Sequence, residues 1–155
     1  MINFEKLNND LSNMDKVLKP VRKIIKNAKK DISLDGKNIG VATVQQASLL
    51  AYYDEIKVEL KHLVDYSQML IKQKKGEIYK NILNNLAKSL TDTALNKLVE
   101  SDEEYLDAYR RYLDIKELYD KASSVVNAFT QRSYSLNNLV KIYENELQNI
   151  TVYDN

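Results

Sequence analysis

An all-α fold of long antiparallel helices with coiled-coil-type packing is what this sequence predicts, and three observations predict it. Apolar residues recur at alternating three- and four-residue steps through most of the chain, the spacing of a packing stripe along a helix. Only Gly36, Gly40, Gly76 and Pro20 supply turn-forming glycine or proline in 155 residues, where a β-rich domain needs many more. An apolar share of 44% beside a charged share of 29% is the composition of a packed or coiled-coil chain rather than a disordered one. This length accommodates one compact domain or one extended bundle.

In the first segment the stripe runs through Phe4, Leu7, Leu11, Met14, Leu18, Val21, Ile25, Ala28 and Ile32, widened by Val17 and Ile24. Pro20 falls inside it, removing a backbone donor and disfavouring helical geometry at Lys19, so a kink or two consecutive helices are expected. Residues 33–41 (SLDGKNIGV) hold two of the three glycines and lose the period, which reads as a turn or short hairpin. Thr43 with Gln46 forms a T-x-x-Q capping box that starts the next helix. Its stripe is Leu49, Tyr53, Ile56, Leu60, Leu63, Ser67 and Leu70. Gly76 either ends or weakens that helix, and Ile78, Ile82 and Leu86 continue its period.

A polar break at residues 89–93 leads to a minor helix bearing Leu95, Leu98 and Val99. Ser101-Asp-Glu-Glu104 is then a second capping box, its acids placed in a first turn where the helix dipole favours negative charge. From there a long helix, residues 101–150, keeps heptad spacing through Tyr105, Ala108, Tyr112, Ile115, Tyr119, Ala122, Val126, Phe129, Ser133, Leu136, Val140, Tyr143, Leu147 and Ile150. Such a helix spans about 75 Å at 1.5 Å per residue, too long for a globular core to bury alone. Leu118, Val125 and Leu139 add a flanking row, so more than two helices are expected to meet along it, from this chain or from further copies. The whole divides into a basic N-terminal helical segment and turn, residues 1–40, and a helical hairpin or coiled-coil core, residues 41–155.

The chain has no cysteine and a single histidine, His62, which excludes disulfides and thiolate zinc sites and leaves little for a transition metal. It carries no phosphate-binding glycine loop, nucleophile elbow or H-E-x-x-H motif. A non-enzymatic protein without a cofactor is expected. With no run of 18 apolar residues and no signal-peptide pattern, the expected location is the cytoplasm, without membrane contact.

The net charge of +1 hides an asymmetry: seven basic residues and no acid between Lys16 and Lys30, against seven acids between Asp102 and Asp120. Lys16, Lys19, Lys23, Lys26 and Lys30 share one helical face opposite the apolar stripe, with Arg22 and Lys29 beside them. That places a line of cations along a polyanion. A merely solvating face usually mixes signs. A second cluster, Lys72, Lys74, Lys75 and Lys80 around Tyr79, joins charge for phosphates to a ring for an unstacked base, as single strands require. Tyr105, Tyr112, Ile115, Tyr119, Val126, Phe129, Leu136, Val140, Tyr143 and Leu147 are read as packing or oligomerisation positions.

Taken in order, a Leu49-Leu50-x-Tyr52-Tyr53 helix, the Lys72–Lys80 stretch with Tyr79, the Ser101-Asp102 start and Arg132-Ser-Tyr134-Ser-Leu136-Asn-Asn138 resemble the UvsY family of phage recombination mediators. The likeness covers about residues 47–147. Asn137 stands where that family's R-x-[YF]-x-[IL]-K-N pattern has lysine. The resemblance implies a ring-like homo-oligomer that binds single-stranded DNA and helps a RecA-like recombinase displace single-strand-binding protein. Its DNA contacts would fall nearest Lys72, Lys74 and Lys75. The alternative is a helical adaptor or inhibitor of a phage or mobile element that binds another protein without touching DNA.

Overall fold

The computed structural model describes residues 14–85 and 90–148, with side chains to residue 145. Phe4, Leu7, Leu11, Leu86, Leu147 and Ile150 lie outside the described side chains. Four helices account for nearly all the described residues: α1 (Met14–Ile32), α2 (Ile39–Asn85), α3 (Asp92–Glu100) and α4 (Glu103–Gln148). The all-α, coiled-coil-like architecture is therefore as predicted, and no strand occurs among the described residues.

The two long helices form an antiparallel hairpin. As numbers on α2 rise from Gln46 through Gln68 to Lys74, their partners on α4 fall from Arg132 through Tyr112 to Glu104. On α2 the seam is Ala42, Gln46, Tyr53, Ile56, Leu60, Leu63, Ser67 and Ile78, all buried, so the expected stripe holds and extends one turn and more toward the N-terminus. On α4 the buried positions are Ile115, Leu118, Ala122, Val126, Phe129, Arg132 and Leu136. Tyr105, Tyr112, Tyr119 and Val140 are half-buried, whereas Tyr143, expected in the packing row, is 56% exposed. Ile115, Ala122, Phe129 and Leu136 keep the seven-residue repeat, while Leu118 and Arg132 are buried and the neighbouring heptad positions Tyr119 and Ser133 are only partly so.

α1 lies against the middle of this hairpin. Met14, Leu18, Val21, Ile25 and Ala28 join Tyr53, Ile56, Leu60, Leu63, Ile115, Leu118, Ala122, Val126 and Phe129 in one core. Pro20 does not divide the segment into two helices: α1 runs unbroken across it. Buried Leu18 and Val21 flank the exposed proline, and their packing offsets its missing donor. At the other end of α1, the Tyr53 hydroxyl donates to Asp31 Oδ2 at 2.8 Å while its ring stacks on Phe129 at 4.9 Å. The connection that follows is a turn without strands. Lys37 N donates to Leu34 O at 3.1 Å, and Gly36 takes a positive φ of 68° that glycine adopts at no steric cost. Lys37 Nζ reaches back to the Lys30 and Asp31 carbonyls at 3.0 and 3.1 Å, capping α1 with a cation at its negative dipole end.

Both predicted capping boxes are displaced. Asn38, directly after the turn, accepts from Val41 N through its side chain (3.2 Å) and from Ala42 N through its carbonyl (2.9 Å). That starts α2 four residues before Thr43, whose hydroxyl instead donates back to the Ile39 carbonyl. At α4 the cap is Asp102, accepting from Glu104 N at 2.9 Å. Ser101 closes α3, its hydroxyl donating to Leu98 O. Gly76 sits inside α2 without ending it, since helix on both sides is held by packing.

Two substitutions test this packing in opposite directions. Phe129→Ala is expected to cost about 3–5 kcal/mol, as for other large-to-small core changes. Gly76→Ala, with open space around the added methyl, should gain about 0.8–1 kcal/mol. Urea denaturation followed by far-UV circular dichroism reads both. Burial first, and the bond to Asp31 second, hold the Tyr53 hydroxyl well above its ordinary pKa. The folded state therefore binds that proton more tightly than the unfolded one. Its contribution is complete below the unfolded value of about 10 and is lost as pH rises beyond it. A Tyr53→Phe chain should lose less stability than the parent between pH 9 and pH 11.

Candidate nucleic-acid interface

The apolar face of α1 fixes where its charges point. With Met14, Leu18, Val21, Ile25 and Ala28 buried, residues half a turn away face outward, and Lys16, Lys19, Lys23, Lys26 and Lys30 are all exposed, as are Arg22 and Lys29. The row spans about 21 Å at 1.5 Å per residue. Among the described residues the one ion pair there is Arg22–Asp15 at 3.2 Å, and Glu117 of α4 also lies within the field of Arg22. The six lysines form no ion pair with any described residue.

The second predicted cluster has different surroundings. Lys74 Nζ lies 3.0 Å from Glu104 and 3.3 Å from Glu77, and Lys75 Nζ lies 3.1 Å from Glu100. The Tyr79 hydroxyl is 3.4 Å from Asp92 Oδ1. Hydrogen bonds donated by Lys74 to Glu104 and then to Glu77 raise the Lys74 pKa, while bonds accepted from Gln73 and Lys74 lower that of Glu77. The acids of the α3–α4 elbow thus face Lys74 and Lys75 and offset their charge. Lys72 and Lys80 remain exposed and outside these ion pairs, Lys80 acting on Glu77 through its field.

The same pairing recurs across the hairpin: Lys57–Asp54, Lys61–Asp65, Arg111–Asp107, Lys116–Asp120 and Lys121–Glu117. Other unpaired exposed cations among the described residues, Lys97, Arg110 and Lys141, are scattered over α3 and α4. Exposed pairs of this kind contribute little to stability, typically under about 1 kcal/mol each. Their effect on surface potential is larger, because each cancels a charge. α1 alone keeps a contiguous row of one sign.

Within the hairpin lies a polar cluster that the heptad pattern did not suggest. Gln46 Nε2 donates to the Phe129 carbonyl at 2.7 Å, and Arg132 Nη1 donates to Gln46 Oε1. Arg132 is only 4% exposed, its guanidinium 5.9 Å from the Phe129 ring centre, and its Nε and Nη2 have no protein partner. Burial lowers its pKa, an effect that the field of Asp31 opposes. Two signals pointed there. Carrying the α2 stripe back from Leu49 by three residues lands on Gln46, and the polar Ser133 in the α4 row marks a seam interruption beside Arg132.

His62 is an exposed residue of α2. No helix among the described residues is long and apolar enough to cross a membrane. Comparison with protein-family models, with curated proteins and with solved structures returns no match.

Removing one partner of the buried pair is expected to hurt more than removing the charge. Gln46→Leu leaves the Arg132 guanidinium without its acceptor and should cost about 2–4 kcal/mol. Arg132→Met, which fills similar space without charge, should lie within about 1 kcal/mol of the parent or above it. Equal losses in urea titrations would show that Arg132 is hydrated rather than dependent on Gln46.

Proposed function

We propose that this chain is a non-enzymatic nucleic-acid-binding protein that holds a polyanionic backbone along the outer face of α1. The observation that carries the reading is the contiguous row of six exposed lysines, Lys16, Lys19, Lys23, Lys26, Lys29 and Lys30, without acid partners among the described residues, whereas half of the described cations elsewhere are paired with acids and the rest are not gathered in a row. Like charges at three- and four-residue spacing repel one another and weaken an isolated helix. A solvating role gives no reason to keep them together, because mixed signs solvate as well, as α2 and α4 illustrate. A polyanion does, since each lysine that meets a phosphate releases a condensed counterion.

Recombination mediation is the narrower form of this proposal. It adds single-stranded DNA as ligand, a RecA-like recombinase and single-strand-binding protein as partners, and a ring-like homo-oligomer as the working form. Its requirement for further protein contacts is supported by apolar side chains left open where α1 does not reach: Val41, Val44 (82% exposed), Ile142 and Tyr143. The same side chains favour the second reading, a helical adaptor or inhibitor that binds a protein and no DNA.

A fluorescent oligonucleotide titrated at 50 and 200 mM salt separates these readings. Six phosphate contacts predict an affinity loss of about 10³ between the two concentrations. Changing Lys16, Lys19, Lys23, Lys26 and Lys30 to Gln should abolish binding with helix content unchanged, whereas Gln at Lys72, Lys74 and Lys75 should have little effect. Loss confined to the second set would move the DNA to the α2 cluster that the mediator resemblance implies. No binding at low salt would leave the adaptor.

A further inference from the structure

α1 offers a nucleic acid cations and nothing else. Its 19 residues contain no aromatic side chain, and unstacked bases are held chiefly by stacking on rings. The exposed tyrosines belong to α2 and α4: Tyr52, Tyr109, Tyr134 and Tyr143. Tyr52 packs edge-on against Tyr53, whose hydroxyl bonds Asp31, so the approach from that ring to α1 crosses a carboxylate. Tyr109 stacks on Tyr105 in the acid-rich first turns of α4, where phosphates are repelled. Base edges find no better match. Arg22, the helix's one fork-shaped donor, is engaged by Asp15, and Asn27 is its one amide. Lysine ammoniums contact phosphates as point charges and do not read sequence.

A surface of this kind gains affinity in proportion to phosphate density. A duplex presents one charge per about 1.7 Å of axis, close to a dozen along the row of lysines, and binds counterions more densely than a single strand does. From these observations we infer that the α1 face is a sequence-independent site for double-stranded nucleic acid, which it holds more tightly than single strands. The inference rests on the reading of α1 as a polyanion site and departs from its narrower mediator form, whose ligand is single-stranded DNA.

The test titrates the full chain with a labelled 20-base-pair DNA duplex and each of its separated strands between 50 and 200 mM salt. With six lysines engaged, log affinity should fall with log salt at a slope of about −5 for duplex and about −4 for single strands. The duplex is expected to bind more tightly throughout, by a margin that shrinks about fivefold across that range. Scrambling its sequence and introducing Tyr52→Ala should leave affinities unchanged. Tighter single-strand binding, or a single-strand loss in the Tyr52→Ala chain, overturns the duplex assignment. If that binding still vanishes in the five-lysine variant, the polyanion reading survives alone. If neither form binds, or if the five-lysine variant binds as the parent does, the reading of α1 falls and the inference with it.

Discussion

The antiparallel seam between α2 and α4 is the interaction from which everything else in the molecule follows. Each helix is about 70 Å long at 1.5 Å per residue, and each buries a stripe repeating at three and four residues. Two helices in contact cover only a narrow line on each other, whereas the apolar surface here is wider, with Val64 and Tyr66 on α2 and Leu118 and Val125 on α4 beside the central rows. α1 closes the extra width over the middle of the hairpin, and α3 buries Leu95 and Val99 at the elbow. Among the described residues the remaining end, around Val44 and Tyr143, is a two-helix structure with apolar side chains in the open.

A seam of similar apolar residues does not specify its own alignment, because a slip of one heptad restores most contacts. Gln46 and Arg132 remove that degeneracy. Both occupy seam positions, and the bonds from Arg132 Nη1 to Gln46 and from Gln46 to the Phe129 carbonyl form only when α2 and α4 are in the observed register. A slip of seven residues, about 10 Å, would leave a guanidinium and an amide among apolar side chains, a cost of several kcal/mol. The buried charge therefore serves alignment more than stability, a role known for single polar residues in coiled coils.

Most of the fold was legible because periodicity over many turns averages out local exceptions. The α2 stripe from Leu49 to Leu70 and the α1 stripe from Met14 to Ile32 pack as their spacing requires. What escaped was decided by single residues in competition with a neighbour. Asn38 outcompetes Thr43 as a cap because it stands where the chain leaves the turn made by the left-handed Gly36, and Asp102 outcompetes Ser101 because Ser101 is needed to close α3. Pro20 reads as a break, yet Leu18 and Val21 anchor both sides of it. The two basic stretches differ in sequence by the Glu77 inside the second, which pairs with Lys74. They diverge further in three dimensions, where the α3–α4 elbow brings Glu100 and Glu104 onto Lys75 and Lys74 while no ion pair among the described residues engages the lysines of α1.

That difference gives α1 an unusual energetic position. Its lysines repel one another at i,i+3 and i,i+4, at a cost of about 0.2–0.5 kcal/mol per pair, and its interior proline removes a further backbone bond. Such a segment is a poor helix in isolation. It exists as one because five side chains from Met14 to Ala28 are buried against the hairpin and because Asp31, the carboxylate at its end, is held by Tyr53. A bound polyanion would replace the repulsion with attraction, so ligand binding and helix docking favour the same state and are thermodynamically linked. The hairpin organises the cations in a line without any ligand, and a bound polyanion would offset part of the cost of holding them there.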